Sequence, residues 1–286
     1  MRSKIISEIF ALAREESAFE KLENSISELT KISLKKNIIE CGILPEMFDH
    51  DSSEEKLWAK YSDIVLSLAL NYLDINSRVL GARGNSADVL GETDAYTLVA
   101  DAKTFRLSRT AKNQKDFKVS ALDSWRENNN YAFLVSPLVQ YPTKKSQIYK
   151  QAIEQNVTLI SYTHLYFLLE YYKKCDLSYI WNTGNRLKEK LSDGQKSDAN
   201  EYWNQIDSAV CKVLKKQKKD LIEIKELEIS KTEEIGKEGI QYWEDQIQKF
   251  SKLSKKEAVN LLVKSHKIES KIFTIQKMIK KKVIYE

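Results

Sequence analysis

The sequence predicts a mixed α/β fold, a central mixed sheet flanked by helices with a long-helix C-terminal subdomain. Three observations carry that expectation. A 42% hydrophobic content over 286 residues supplies a substantial core. Between about residues 52 and 172, short apolar runs bounded by turn residues alternate with helical periodicities. Beyond Leu177 the pattern changes to long charged helices with sparse apolar positions. The expected division is N-terminal helices over 1–40, a core over 41–176 and a helical subdomain over 177–286.

Taken in order, residues 1–40 read as helix, with Ile5, Ile6, Ile9 and Phe10 on one face and Leu22, Ile26, Leu29 and Ile32 on a second. The next helix starts at Ser52-Ser53-Glu54-Glu55, where a hydroxyl precedes acidic residues as an N-cap signal. It carries Leu57, Trp58, Tyr61, Ile64, Val65, Leu68 and Tyr72 at helical spacing. Arg78–Leu80 and Ala87–Leu90 are too brief for helices and are bounded by Gly81, Gly84 and Gly91. Ala95–Phe105, containing Tyr96, Leu98, Val99 and Ala100, suits a buried strand. Val119–Asn128 is predicted helical around Leu122 and Trp125, and Tyr131–Val135 is a buried strand ended by Ser136-Pro137. A helix over Ser146–Gln155, a strand over Val157–Ile160 and an apolar helix over Leu165–Tyr172 follow. Ser192–Ser197 reads as a loop. Helices are then expected around Trp203–Lys219, Leu221–Phe250 and Lys255–Lys281, the middle one interrupted by Gly236 and Gly239.

Composition excludes several classes. The net charge of +5 implies a nucleic-acid partner only if it is focused in one region. Cys41, Cys175 and Cys211 are odd in number and widely spaced, which fits reduced thiols rather than a disulfide frame. His50, His164 and His266 pair with no cysteine at zinc-ligand spacing. The basic start MRSKIISEIFALAREE is interrupted by Glu8 and reads as an amphipathic helix, not a signal peptide. No run approaches the ~20 apolar residues of a membrane span. A soluble, cytoplasmic protein is expected.

The chemistry concentrates in Asp88 and Asp101-Ala102-Lys103. Spacing alone is weak, because a chain of this composition should place an acid two before a lysine about five times. Glu54/Lys56, Asp101/Lys103, Asp116/Lys118, Glu223/Lys225 and Glu269/Lys271 do so. Context selects Asp101 and Lys103. They end the most convincing buried strand, where residues two apart share a face, and the preceding short strand supplies Asp88. Carboxylates gathered beside a sheet need a partner or a metal. Mg²⁺ prefers such oxygens and keeps waters for a phosphate substrate, and Lys103 is suited to orient the attacking water or stabilise charge on phosphorus. The alternative is a structural ion pair with Asp88 as a turn residue. Glu55 is a further candidate that approaches the metal from behind; otherwise it is a first-turn glutamate favouring the helix dipole. Trp58 and Trp125 are expected in the core.

The segment that follows sharpens the reading. Lys103, Arg106, Arg109, Lys112, Lys115 and Lys118 face one acid, Asp116, and are interleaved with Ser108, Thr110, Asn113 and Gln114. These side chains hydrogen-bond phosphates and base edges. The lysines at 215, 216, 218 and 219 either contact a nucleic-acid backbone or form a solvated helix face.

Gly42-Ile-Leu-Pro-Glu46, Glu55-Lys-Leu57, Asp63-Ile-Val-Leu66, Arg83-Gly-Asn85, Val99–Lys103, the run Phe105–Val119, Tyr141-Pro-Thr143 and Ser146-Gln-Ile148 carry a family resemblance. Over about residues 42 to 167 the chain resembles the HindIII-type restriction endonucleases, within the PD-(D/E)xK nuclease superfamily. The resemblance implies a PD-(D/E)xK catalytic core over 41–176 in a homodimeric type II enzyme. Such an enzyme cuts double-stranded DNA at a palindrome, AAGCTT, with Mg²⁺, leaving 5′ overhangs, and works alongside a cognate DNA methyltransferase. It implies Asp88, Asp101 and the Ala102 carbonyl as metal ligands and Lys103 as the catalytic lysine. It places Asn113, Lys115 and Asp116 toward the major groove. Ala87 stands where the superfamily's label has proline. A structure-selective repair or junction nuclease and a DNA-binding protein without chemistry are the other readings of the same residues.

Overall fold

The computed structural model describes residues 2–81, 86–109, 114–143, 146–190 and 198–280; the side chains of 114–115 and 277–280 lie outside that description. Four helices precede the sheet: α1 (Arg2–Leu12), α2 (Ala18–Ser27), α3 (Lys31–Cys41) and α4 (Ser53–Asn71). Capping sets two of these starts. The Thr30 hydroxyl accepts the Ser33 N–H at 3.3 Å, and the Ser52 hydroxyl accepts the Glu55 N–H at 3.1 Å.

The strands are β1 (Asn76–Val79), β2 (Val89–Glu92), β3 (Thr97–Ala102), β4 (Tyr131–Ser136) and β5 (Val157–Ser161). Between β3 and β5 come α5 (Gln114–Phe117), α6 (Val119–Arg126), a 3₁₀ turn (Leu138–Gln140) and α7 (Gln147–Glu154). The five strands form one sheet in chain order, antiparallel from β1 to β3 and parallel from β3 to β5. β4 and β5 are buried along almost their whole length, which is why their sequences are continuous apolar runs rather than alternating ones. The half-exposed β1 is one edge of the sheet and the buried β5 is the other.

After β5 come α8 (Tyr162–Tyr171), α9 (Ser178–Trp181), α10 (Thr183–Lys190), α11 (Ala199–Leu214), α12 (Lys218–Ser251), α13 (Lys255–Ser265) and α14 (Ile268–Lys280). α8 begins three residues earlier than its apolar run predicts, because Ser161 caps it. The Ser161 hydroxyl accepts the His164 N–H while His164 Nδ1 accepts the Ser161 N–H at 3.1 Å. α12 runs without interruption through Gly236 and Gly239, contrary to expectation. A helical glycine costs only about 1 kcal/mol, and neighbours such as the buried Ile235 hold the turn. The Ser192–Ser197 loop expectation falls outside the described residues.

The chain divides into two compact units, Met1–Gly236 and Lys237–Glu286. In the first, a single hydrophobic cluster extends from Ile5 to Leu221 and includes the N-terminal helices as well as the sheet. α4 packs on β1, β2 and β3, and α6 packs on β3, β4 and β5. Trp58 lies in this core and Trp125 packs half-buried against it. In the second unit, Ser254 caps α13 in a reciprocal box with Glu257. Ile240, Trp243, Ile247 and Phe250 are exposed along the end of α12. No helix among the described residues is long and apolar enough to cross a membrane, and all three cysteines are free thiols.

Candidate active site

The site forms where β2 begins and β3 ends. The antiparallel register stops at Val89↔Ala100, so Asp88, one residue before β2, stands beside the end of β3. On β3, Asp101 is paired in register with Leu134 of β4 and is 1% exposed. Its face of the sheet is the one α4 covers, and α4 delivers Asp63, 3% exposed, onto the same point. Oxygens of Asp63, Asp88 and Asp101 lie within 4.8 Å of one another. The opposite face holds Phe133, opposite Ala100 in register, stacked on Trp181 at 4.7 Å.

Two ammonium groups answer the three carboxylates. The Lys103 ammonium is ion-paired to Asp101 Oδ2. Lys60, three residues before Asp63 on α4, bridges Asp63 Oδ2 at 3.2 Å and Asp88 Oδ1 at 2.7 Å. Burial, then the charge of Asp88, pushes the Asp63 carboxyl well above the ordinary aspartate range. Lys60 is held above its usual value: burial works to lower it, and the charges and hydrogen bonds of Asp63 and Asp88 outweigh that. Three carboxyl groups thus share two ammonium groups, and their oxygens lie close enough together to hold a metal ion.

The backbone adds a donor. The Lys103 N–H is spent on Val135 O of β4 at 2.8 Å, so strand alternation turns the Ala102 carbonyl to the other side, where β2 has already ended. Carboxylate and carbonyl oxygens are the ligands that hard divalent ions select. The residues present therefore fit a hard divalent cation.

Glu55 lies eight residues before Asp63 on α4, about 12 Å along the helix, and is not part of the cluster. Its Oε1 accepts from Arg106 Nη1 at 2.8 Å, and Oε2 accepts from the Asp51 N–H and lies 3.3 Å from His50 Nδ1. Glu46 grips the next residues, accepting from Ser108 N at 3.0 Å and Ser108 Oγ at 2.6 Å. Phe105 donates its N–H to Gly42 O at 3.1 Å, and a Cβ on Gly42 would meet Pro137 Cγ at 2.7 Å. The chain leaving Lys103 is thus tied to Gly42, Glu46 and Glu55. Arg109 and Asp116 are ion-paired to each other. Lys112 and Asn113 fall outside the described residues, as do the side chains of Gln114 and Lys115.

Asp63 and Lys60 are the members of the cluster that sequence reasoning missed. Asp63 is an acid inside the buried run Tyr61–Leu66, and an ionisable group on an otherwise apolar helical face is the signal that finds it.

Comparison with known proteins identifies the family. Residues 4–279 match the HindIII restriction endonuclease family. The chain is 41% identical to the type II restriction enzyme HindIII of Haemophilus influenzae, over 97% of this chain and 94% of that protein. With a family match over nearly the whole chain and 41% identity to that enzyme, the chain belongs to the HindIII restriction endonuclease family.

Proposed function

We propose that this chain is a type II restriction endonuclease that hydrolyses double-stranded DNA at a palindromic site, AAGCTT, using Mg²⁺. The products carry 5′-phosphate and 3′-hydroxyl ends with 5′ overhangs. The observation that carries the reading is the convergence of Asp63, Asp88 and Asp101 with Lys103 on the last of them. Asp88, Asp101 and the Ala102 carbonyl, joined by Asp63, are the groups to hold the ion. When bound, a divalent ion there supplies Lewis acidity to the phosphodiester and lowers the pKa of a coordinated water. Lys103, steered by Asp101, points its ammonium at the scissile phosphate, aligns the attacking oxygen and offsets the charge that builds on the phosphoryl oxygens. The new bond forms between the water oxygen and phosphorus, and the bond to the 3′ oxygen breaks in line.

Glu55 acts through Arg106 as a positioning group for the segment that reads DNA. Arg106, Arg109, Lys112, Asn113, Gln114, Lys115 and Asp116 make up that segment, facing phosphates and base edges. A homodimer suits a palindrome, each subunit reading one half-site. The exposed stripe Ile240, Trp243, Ile247 and Phe250 within the 177–286 helical subdomain supplies apolar surface for such an assembly. The enzyme works in the cytoplasm alongside a cognate methyltransferase that protects host DNA.

Plasmid digestion with Mg²⁺, followed by sequencing of the ends, tests activity, site and cut position together. Asp101→Asn should bind DNA and leave it uncut. Nicking of supercoiled plasmid by that variant at the wild-type rate would sink the assignment.

A further inference from the structure

The carboxylate cluster holds one cation more than a catalytic lysine accounts for. Lys103 sits on Asp101 at the strand end, as the phosphoryl chemistry requires. Lys60 instead spans Asp63 and Asp88, two of the three acids that converge. Its side chain is 25% exposed, so a route to solvent is open to it, and its four-carbon stem has rotatable bonds with which to take that route. With both ammonium groups in place, adding a divalent ion would leave an uncancelled positive charge beside two almost fully buried aspartates. With Lys60 withdrawn and Asp63 ionised toward the metal, three carboxylates, one ammonium and one divalent ion cancel, and a buried cluster favours that balance.

We infer that Lys60 is the resident counter-ion of the metal centre, and that it must release Asp63 and Asp88 before a divalent cation binds there. The residue thereby weakens the site for metal while keeping the apo acids from repelling one another. This inference rests on the metal-centre reading above, and it assigns Lys60 a regulatory role in metal occupancy rather than a place among the reacting groups.

The test uses the full chain without DNA, titrated with Mn²⁺ while the free ion is followed by electron paramagnetic resonance. K60M keeps the stem and removes the charge, and K60R keeps a cation. Removing a charge-assisted pair of this kind should tighten Mn²⁺ binding about tenfold in K60M. K60R should stay at or below wild-type affinity, and adding D101N to K60M should abolish the tight binding, which locates it at this centre. Equal or weaker Mn²⁺ binding in a folded K60M overturns the inference, as does tightening in K60R. If wild type, K60M and K60R all fail to take up Mn²⁺, the metal-centre reading itself fails, and the role of Lys60 falls with it.

Discussion

Two buried acid–cation networks lie in the same unit and behave in opposite ways. At the end of β3, Asp63 shares one lysine with Asp88, has Asp101 nearby, and its carboxyl is driven far up by burial and like charge. Where α8 meets α11 and α12, Asp207 accepts from His164 Nε2 at 2.8 Å and from Lys225 Nζ at 2.6 Å. Burial works to raise Asp207 as well, but the hydrogen bonds from His164 and Lys225, with the Lys225 charge, hold it below the ordinary range. His164 stays neutral-leaning, lowered by its complete burial and stacked on Trp203. One network is closed and serves as internal glue. The other has three carboxyl groups sharing two lysines, and one of those carboxyls is held far above its ordinary range.

Four substitutions break or sharpen this contrast. The largest effect belongs to Asp101→Asn, which should lower the single-turnover cleavage rate by about a thousandfold or more while leaving the far-ultraviolet circular dichroism unchanged. Next comes Glu228→Gln on α12, which probes whether every acid outside the site is as well satisfied as Asp207. Glu228 is buried, takes the Leu138 N–H at 2.9 Å, and its carboxyl is pushed up to about 7, chiefly by burial. Because the folded value lies above the unfolded one, wild-type stability should fall by about 3 kcal/mol as pH rises from 4.5 to about 7. Glu228→Gln should flatten that slope in urea melts; an unchanged slope would show that another group titrates there.

Asp207→Asn should cost about 2 kcal/mol at pH 7, because it leaves Lys225 and His164 short of a partner. The depressed carboxyl contributes stability above its unfolded pKa that is lost as pH falls through the folded value, so the penalty should shrink in acid. Asp63→Asn should do the reverse. Its raised carboxyl makes ionisation a burden on the fold above pH 4, so the variant should melt a few degrees higher, roughly 1 kcal/mol, while cleaving more slowly. A lower melting temperature in Asp63→Asn would place Asp63 with Asp207 as glue.

The sequence made some of this legible and hid the rest for physical reasons. Asp101 and Lys103 stood out because β3 is a buried strand, and period-two alternation then assigns both to one face. Asp88 was placed within a strand but sits one residue before β2, still adjacent because the hairpin register carries it there. Asp63 stayed hidden because helical spacing marked the apolar positions around it and gave no sign of which acid they would bury. Lys60 joins two acids twenty-five residues apart, which no local pattern encodes. Glu55 carried the right residue type on the right helix, two turns too early, and is engaged by Arg106.

The order of the strands in space is their order in the chain. Every pairing in the sheet therefore joins consecutive strands, and the groups of the proposed metal centre all fall between residues 60 and 103. Assembly of that centre needs closure of short loops only, which is the entropically cheap kind of contact to form. During synthesis from the N-terminus, the helix and hairpin that bring the acids together leave the ribosome well before α11 and α12 are made. α11 packs on α8, α9 and α10 rather than on the β2–β3 hairpin, so defects in it should leave the acids themselves undisturbed.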